Sequence, residues 1–187
     1  MRRNTILVLA SVLLLVAVGT STGCRRVKLA DTGSRTSGAA TETTSVAIGQ
    51  AQTLDTTVRM AVGSLKLTAE DSSSPDAMRG TFRYAPASWK PDVTYVVLRT
   101  KGVLSATQPD SSGALNFGRA ENTWTLVLAA GIPTNLSLEL GVGDSDIGLR
   151  GVNLTGLKVV TGVGKTTIDL SGPRPQGLVG RIDSGVG

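Results

Sequence analysis

The chain has 187 residues, 19 Lys and Arg against 14 Asp and Glu, a net charge of +5, one cysteine and no histidine. Without histidine it lacks the most frequent general base, proton shuttle and metal ligand. Setting aside Arg2 and Arg3, which belong to a leader, 17 basic and 14 acidic residues remain scattered among one another, an ordinary mixed surface that excludes a nucleic-acid stripe.

Met1-Arg2-Arg3 forms a short positive n-region, Ile6 to Val18 an apolar run, and Gly19 to Gly23 a small, polar stretch. Residues 1–23 therefore read as a lipoprotein signal peptide with a helical apolar segment, too short for a comfortable bilayer span. Cys24 follows directly. Thr22-Gly23-Cys24 resembles the end of a bacterial lipobox, with Ser21 where Leu, Val or Ile is usual. That resemblance implies a diacylglyceryl-modified Cys24 as the mature N-terminus. It also implies attachment to the cell membrane or outer membrane, facing outside the cytoplasm. An uncleaved signal anchor and free secretion are the other two readings of the same residues. With no second cysteine, no intramolecular disulfide can form.

Residues 24–49 read as the lipidated cysteine and a flexible tether, rich in Thr, Ser, Ala and Gly and poor in large apolar side chains. A coil of ~20–25 residues spans roughly 25 Å on average, enough to lift a domain clear of lipid head groups.

Residues 50–135 form an N-terminal β part that holds all six aromatic residues, from Phe82 to Trp124. Period-2 alternation begins near Thr53. Val58, Met60 and Val62 run to a bend at Gly63, and Leu65 and Leu67 resume the pattern. Thr81-Phe82-Arg83-Tyr84 alternates again. Pro86 to Pro91 is a turn that cannot continue a ladder. Val93 to Leu98 is apolar on both faces, the pattern of a central strand. Thr123 to Leu128 is a further strand, broken by Gly131-Ile132-Pro133.

Residues 136–187 repeat. Leu136, Leu138 and Leu140 run into Gly141-Val142-Gly143, and Leu157 and Val159 lead to Gly162-Val163-Gly164. Gly185-Val186-Gly187 comes last, the spacings being 21 and then 23 residues. A glycine-punctuated alternation with a near-fixed period predicts stacked β-solenoid rungs, each burying its aliphatic side against its neighbours. The aromatic part is expected to cap the stack. The last rung, stopping at Gly187, is expected to be incomplete and to allow self-association through open rung ends.

No stretch carries a strong chemical motif. Asp144-Ser145-Asp146 follows a Gly-Val-Gly turn and offers two carboxylates to Ca²⁺, although a solvated turn is the more frequent meaning of such a pair. Gly162-Val163-Gly164-Lys165-Thr166 echoes a phosphate loop but lacks its spacing and following helix, so its N–H groups should feed a β-ladder. Trp89 and Trp124 are the candidate ligand face, a stacking platform for a glycan, although Trp among alternating apolar residues is more often core. No cofactor, metal or catalytic residue is assigned.

The ordered set Gly63-x-Leu65-x-Leu67, Gly80-x-Phe82-x-Tyr84, Trp89-Lys90-Pro91-x-Val93-x-Tyr95, Gln108-Pro109, Asn122-x-Trp124-x-Leu126-x-Leu128, Pro133, the repeated Gly-Val-Gly and Ile168-Asp169-Leu170-Ser171-Gly172-Pro173 resembles the bacterial toast-rack domain. That domain occurs in cell-surface lipoproteins and is related to the C-terminal domain of LiaF-type cell-wall-antibiotic-response proteins. The resemblance implies an all-β, β-solenoid-like fold of stacked short strands. It implies a non-enzymatic role as a surface binding, adhesion or scaffolding module. The partners would be the membrane, through the lipid anchor, and a cell-surface polymer or protein, with no nucleic acid. The alternative it implies is an envelope-stress regulator contacting a membrane sensor kinase.

Overall fold

Apolar alternation and glycine punctuation wind the chain into two β-sheets that share one core. The computed structural model describes residues 38–70, 73–110, 120–172 and 178–186; the leader, Cys24 and the first part of the tether lie outside them. The strands are β1 (Ala40–Ala47), β2 (Thr53–Val62), β3 (Ser64–Glu70), β4 (Asp76–Ala85), β5 (Asp92–Leu98), β6 (Lys101–Thr107), β7 (Glu121–Ala129), β8 (Thr134–Val142), β9 (Ser145–Gly148), β10 (Leu154–Val163), β11 (Thr166–Asp169) and β12 (Val179–Val186). A single 3-10 turn at Ala87–Trp89 is the one helical element among the described residues. The first sheet has the order β1-β4-β7-β3-β9-β11 and the second β12-β10-β8-β2-β6-β5.

Each rung runs along the second sheet, turns at a glycine and returns along the first, as β2–β3, β8–β9 and β10–β11 do. Strands β6, β2, β8, β10 and β12 are parallel neighbours, as are β7, β3, β9 and β11. The predicted repeat is thus the register of the stack. Leu138 pairs with Val159, 21 residues on, and Val159 with Ile182, 23 residues on.

In-register pairing of equivalent residues builds core columns. Ala106, Val58, Leu138 and Val159 form one, all fully buried; Leu126, Leu67 and Ile147 form another in the first sheet. Each buried Leu or Val contributes ~1.5–3 kcal/mol relative to exposure.

The corner glycines are also stacked. A Cβ on Gly141 would lie 2.2 Å from the Ala61 carbonyl oxygen, and one on Gly162 would lie 2.3 Å from that of Gly141. Gly63, Gly143 and Gly164 share a left-handed backbone at φ +142, +136 and +133°. Their N–H groups donate to Val142, Val163 and Val186 carbonyls of the neighbouring rung at 2.9, 2.9 and 3.2 Å. The phosphate-loop-like segment therefore feeds a ladder, as its spacing predicts.

The aromatic part closes one end of the stack. Phe82 and Trp124 meet edge-to-face, 5.2 Å between centroids at 86°. Gln108 and Asn122, both buried, finish the first corner. Gln108 Oε1 accepts from the Ala61 and Val62 N–H groups at 2.9 and 3.1 Å and from Asn122 Nδ2 at 3.1 Å. Asn122 Oδ1 accepts from Trp124 Nε1 at 2.7 Å.

Three expectations are corrected. Residues 40–47, assigned to the tether, form β1 and pair antiparallel with β4. Their inward residues are Glu42, Thr44 and Val46, mostly polar, so no apolar period marks the strand. Strand β5, read as central, lies at an edge and pairs with β6 alone; its apolar outer residues include Leu98, 60% exposed. The segment β2–β3 is itself a rung, between β6–β7 and β8–β9, with Val62 in register with Val142.

Candidate functional site

The outward side chains of the first sheet form an open, hydroxyl-rich face. Alternation turns Thr43 out of β1, Thr81 out of β4 and Thr125 out of β7, and pairing sets the three side by side. Neighbouring strands of a sheet are ~4.8 Å apart, so the threonines make a row at that repeat. Lys66, Asp146 and Thr167 continue it across β3, β9 and β11.

Parallel rows flank this one. Thr41, Arg83, Thr123 and Ser64 lie on one side, and Ser45, Arg79, Val127 and Thr68 on the other. Between them a shallow depression of about 540 Å³ is lined by Thr43, Thr44, Ser45, Arg79, Gly80, Thr81, Thr125 and Val127. Arg79 is ion-paired with Glu70, and Arg83 with Glu121. These charges are half-exposed and matched, so they add little stability and leave no concentrated field. Among the described residues no group of three or more Asp, Glu, His or Cys converges to hold a metal.

The outer face of the second sheet carries a comparable row, Thr94, Ser105, Thr57 and Ser137, extended by Lys158 and Arg181. There Ser105, Thr57 and Ser137 are half-buried. Charged pairs cross the same face, Arg59 with Glu139 at 2.8 Å and Lys101 with Asp55 at 2.5 Å. The first sheet presents the more open polar surface.

A second polar cluster lies beneath β1. Glu42, 7% exposed, accepts through Oε1 from Tyr84 Oη at 2.7 Å and from Lys90 Nζ at 2.6 Å. Its Oε2 and the neighbouring Thr44 Oγ1 are buried without a hydrogen-bond partner. This cluster pins β1 to β4 and to the turn after it.

The predicted ligand face does not form. Trp89 is 1% exposed and Trp124 fully buried, so neither ring can stack on a glycan. Asp144 Oδ1 accepts from the Lys165 N–H at 3.0 Å, and Asp146 lies in the outer row beside Lys66; the two serve as turn and face residues. Cys24 lies outside the described residues. Sequence reasoning missed Thr43 and Ser45 because they sat in the supposed tether. It also missed the alignment of Thr81 with Thr125, because alternation gives a residue's face but not its neighbour across strands.

An all-β stack of glycine-cornered rungs, closed at one end by the aromatic strands, defines a β-solenoid-like class of domain. The sequence matches the family described as the N-terminal domain of toast_rack, DUF2154, over residues 35–187, and the chain belongs to that family. The match begins before β1, in keeping with that strand being part of the domain. A crystal structure from Clostridium sporogenes ATCC 15579, described as that of a candidate cell adhesion protein, is similar with a TM-score of 0.66. The two are 31% identical over 77% of this chain and 67% of that one. A candidate adhesin from Bacteroides fragilis NCTC 9343 is 12% identical over 81% of this chain and 97% of that one; its TM-score of 0.27 carries no argument. No curated protein matches the sequence.

Proposed function

We propose that this chain is a non-catalytic cell-envelope lipoprotein that presents the outer face of its first sheet to a hydroxyl-bearing polymer at the cell surface. The observation that carries the reading is the in-register row Thr43, Thr81 and Thr125 on an open, charge-matched face. Evenly spaced hydroxyls donate and accept alike, so they suit a repeating polyol more than a single small ligand. Support also comes from the likeness to the Clostridium sporogenes protein described as a candidate for cell adhesion. In this reading Cys24 carries the lipid, the segment up to about Gly38 is the tether, and the domain faces away from the cytoplasm.

Sedimentation of the purified protein with isolated cell-wall polysaccharide tests the proposed face. Thr81→Trp and Thr125→Arg, both at exposed outward positions, are expected to weaken binding about tenfold, equivalent to ~1.4 kcal/mol, with unchanged thermal midpoints. Binding equal to wild type in both variants rules that face out. Labelling with a clickable fatty acid tests the anchor: label and membrane attachment are both expected to vanish in Cys24→Ala.

A further inference from the structure

At the glycine corners one rung closes on the next: the Gly63 N–H donates to the Val142 carbonyl oxygen and that of Gly143 to Val163. On its other side the Gly63 corner is bonded by side chains instead of a backbone turn. The Ala61 and Val62 N–H groups donate to Gln108 Oε1, and Asn122 Nδ2 donates to the Val62 carbonyl oxygen at 2.6 Å. Two amides fill less space than a turn of backbone, and a niche of about 300 Å³ lies beside them, with Trp89, 1% exposed, behind it.

The lining of this niche is of two kinds. Val62 and Ala120 are half-buried and apolar. Ser64 and Thr123 are cross-strand partners whose exposed hydroxyls lie in the same outward row as Arg83, on strands ~4.8 Å apart. Glu121, held by its ion pair with Arg83, adds a carboxylate. Hydroxyls donate and accept, the carboxylate accepts and the guanidinium donates, and the two charges cancel. At the next two corners the residue after the glycine is Asp144 and Lys165, and Asp144 Oδ1 accepts from the Lys165 N–H at 3.0 Å. A small hydroxyl at that position belongs to the first corner alone of these three.

We propose that the niche takes one neutral sugar ring. Such a ring has C–H groups on its faces and hydroxyls around its rim, the same division of apolar and polar groups that the niche presents. Ligand pockets run from roughly 300 to 1,000 Å³, so this one has room for a single ring and not for an oligosaccharide. An acidic sugar would meet the Glu121 carboxylate, whose guanidinium partner is already engaged. The row Thr41, Arg83, Thr123 and Ser64 borders the row Thr43, Thr81 and Thr125, so the ring is a terminal or branching unit of the polymer that lies on that face. This last step rests on the function proposed above; the niche itself does not.

Titration of the ¹⁵N-labelled protein with methyl glycosides of glucose, galactose, mannose and N-acetylglucosamine, followed by amide NMR, tests the assignment. At least one of them is expected to shift the Ser64 and Thr123 N–H signals and the Asn122 side-chain amide, saturating in the millimolar range, and to leave Thr43 unmoved. Methyl glucuronide, the acidic counterpart, is expected to bind about tenfold more weakly, as is the best glycoside to Ser64→Trp and to Thr123→Trp, ~1.4 kcal/mol in each case. Both substitutions place an indole in the niche from an exposed position, and an unchanged circular dichroism spectrum confirms that each variant is folded. Thr81→Trp lies outside the niche and is expected to bind the glycoside as the wild type does while losing affinity for the polysaccharide. No shift with any of the four glycosides, shifts confined to other residues, equal binding of the glucuronide, or undiminished binding by both niche variants would each overturn the proposal. Glycoside binding at the niche without any binding of polysaccharide would instead overturn the polymer-binding face and leave the niche standing.

Discussion

Gly143 stands over Gly63 so closely that a Cβ on Gly143 would lie 1.8 Å from the Gly63 carbonyl oxygen. The contact is backbone on backbone, so no rotamer change relieves it, and the φ of +136° adds a second penalty for any L side chain. Close stacking of rungs at this corner is what requires glycine, and the two columns of glycines are its trace in the sequence.

Gly143→Ala should therefore cost more than ~3 kcal/mol, left-handed strain alone accounting for ~1–3 kcal/mol. Gly148 is an internal control in the same rung. Its added Cβ would meet nothing nearer than the Leu67 carbonyl oxygen at 3.6 Å, at an ordinary φ. Gly148→Ala should be neutral or stabilising by up to ~1 kcal/mol, because alanine loses less backbone entropy on folding. Urea denaturation of both variants checks the contrast; equal costs would mean that the corner is less tightly stacked.

Leu138 and Val159 are paired across adjacent rungs and both are fully buried. Leu138→Asp or Val159→Asp places an uncompensated charge inside the column, where even a neutral polar group without a partner costs ~2–7 kcal/mol. Each variant should lose the folding transition or show a midpoint lowered by many degrees. Unchanged melting in both would place these residues outside the core.

The second half of the chain was legible because its repeat is close to regular. Once Gly141-Val142-Gly143 and Gly162-Val163-Gly164 are aligned, the register of β8 with β10 follows. The first rung escaped notice because the aromatic strands are inserted between it and β8, and because its corner reads Ala61-Val62-Gly63. Strand β1 escaped because Glu42 and Thr44 occupy buried positions where an apolar residue is the usual signal. The edge position of β5 could not be read from alternation, since an apolar outer face signals a covered sheet in most proteins and here includes the 60% exposed Leu98. The candidate face depends on cross-strand neighbours, which no single strand encodes.

Thr56 lies in the core column between Leu104 and Leu136, and its hydroxyl has no hydrogen-bond partner. A buried unsatisfied hydroxyl costs ~1–3 kcal/mol. Valine has nearly the same shape, so Thr56→Val should raise the urea midpoint by the equivalent of ~1 kcal/mol without changing the slope. A loss of stability would imply that the hydroxyl is bonded to an internal water.

Gln108 supplies through its side chain the acceptor for the Ala61 and Val62 N–H groups. Gln108→Leu removes that acceptor while keeping most of the volume. A buried donor left unsatisfied costs ~1–3 kcal/mol, and two are involved, so the loss should lie toward the upper end. Amide exchange gives the sharper readout: protection of Ala61 and Val62 should fall selectively, while that of Leu138 is retained. Uniform loss across the sheet would mean that Gln108 acts as a general core residue instead.

Tyr95 gives the fold a defined response to alkali. Its hydroxyl donates to the Ile48 carbonyl oxygen at 2.7 Å, and burial raises its pKa above the ordinary phenol value. The folded protein thus holds the phenolic proton more tightly than the unfolded chain does. Stability from this group is fully present below the unfolded value of about 10 and declines as pH rises through the higher folded value. Tyr95→Phe loses the hydrogen bond, ~1 kcal/mol near neutral pH, but has no proton to release. The stability gap between wild type and Tyr95→Phe should therefore be constant from pH 7 to about 9 and narrow above about 10. Urea titrations of both proteins across that range decide it. A gap that stays constant into alkali would show that the phenol ionises alike in both states, which its burial against β6 and its bond to Ile48 do not permit.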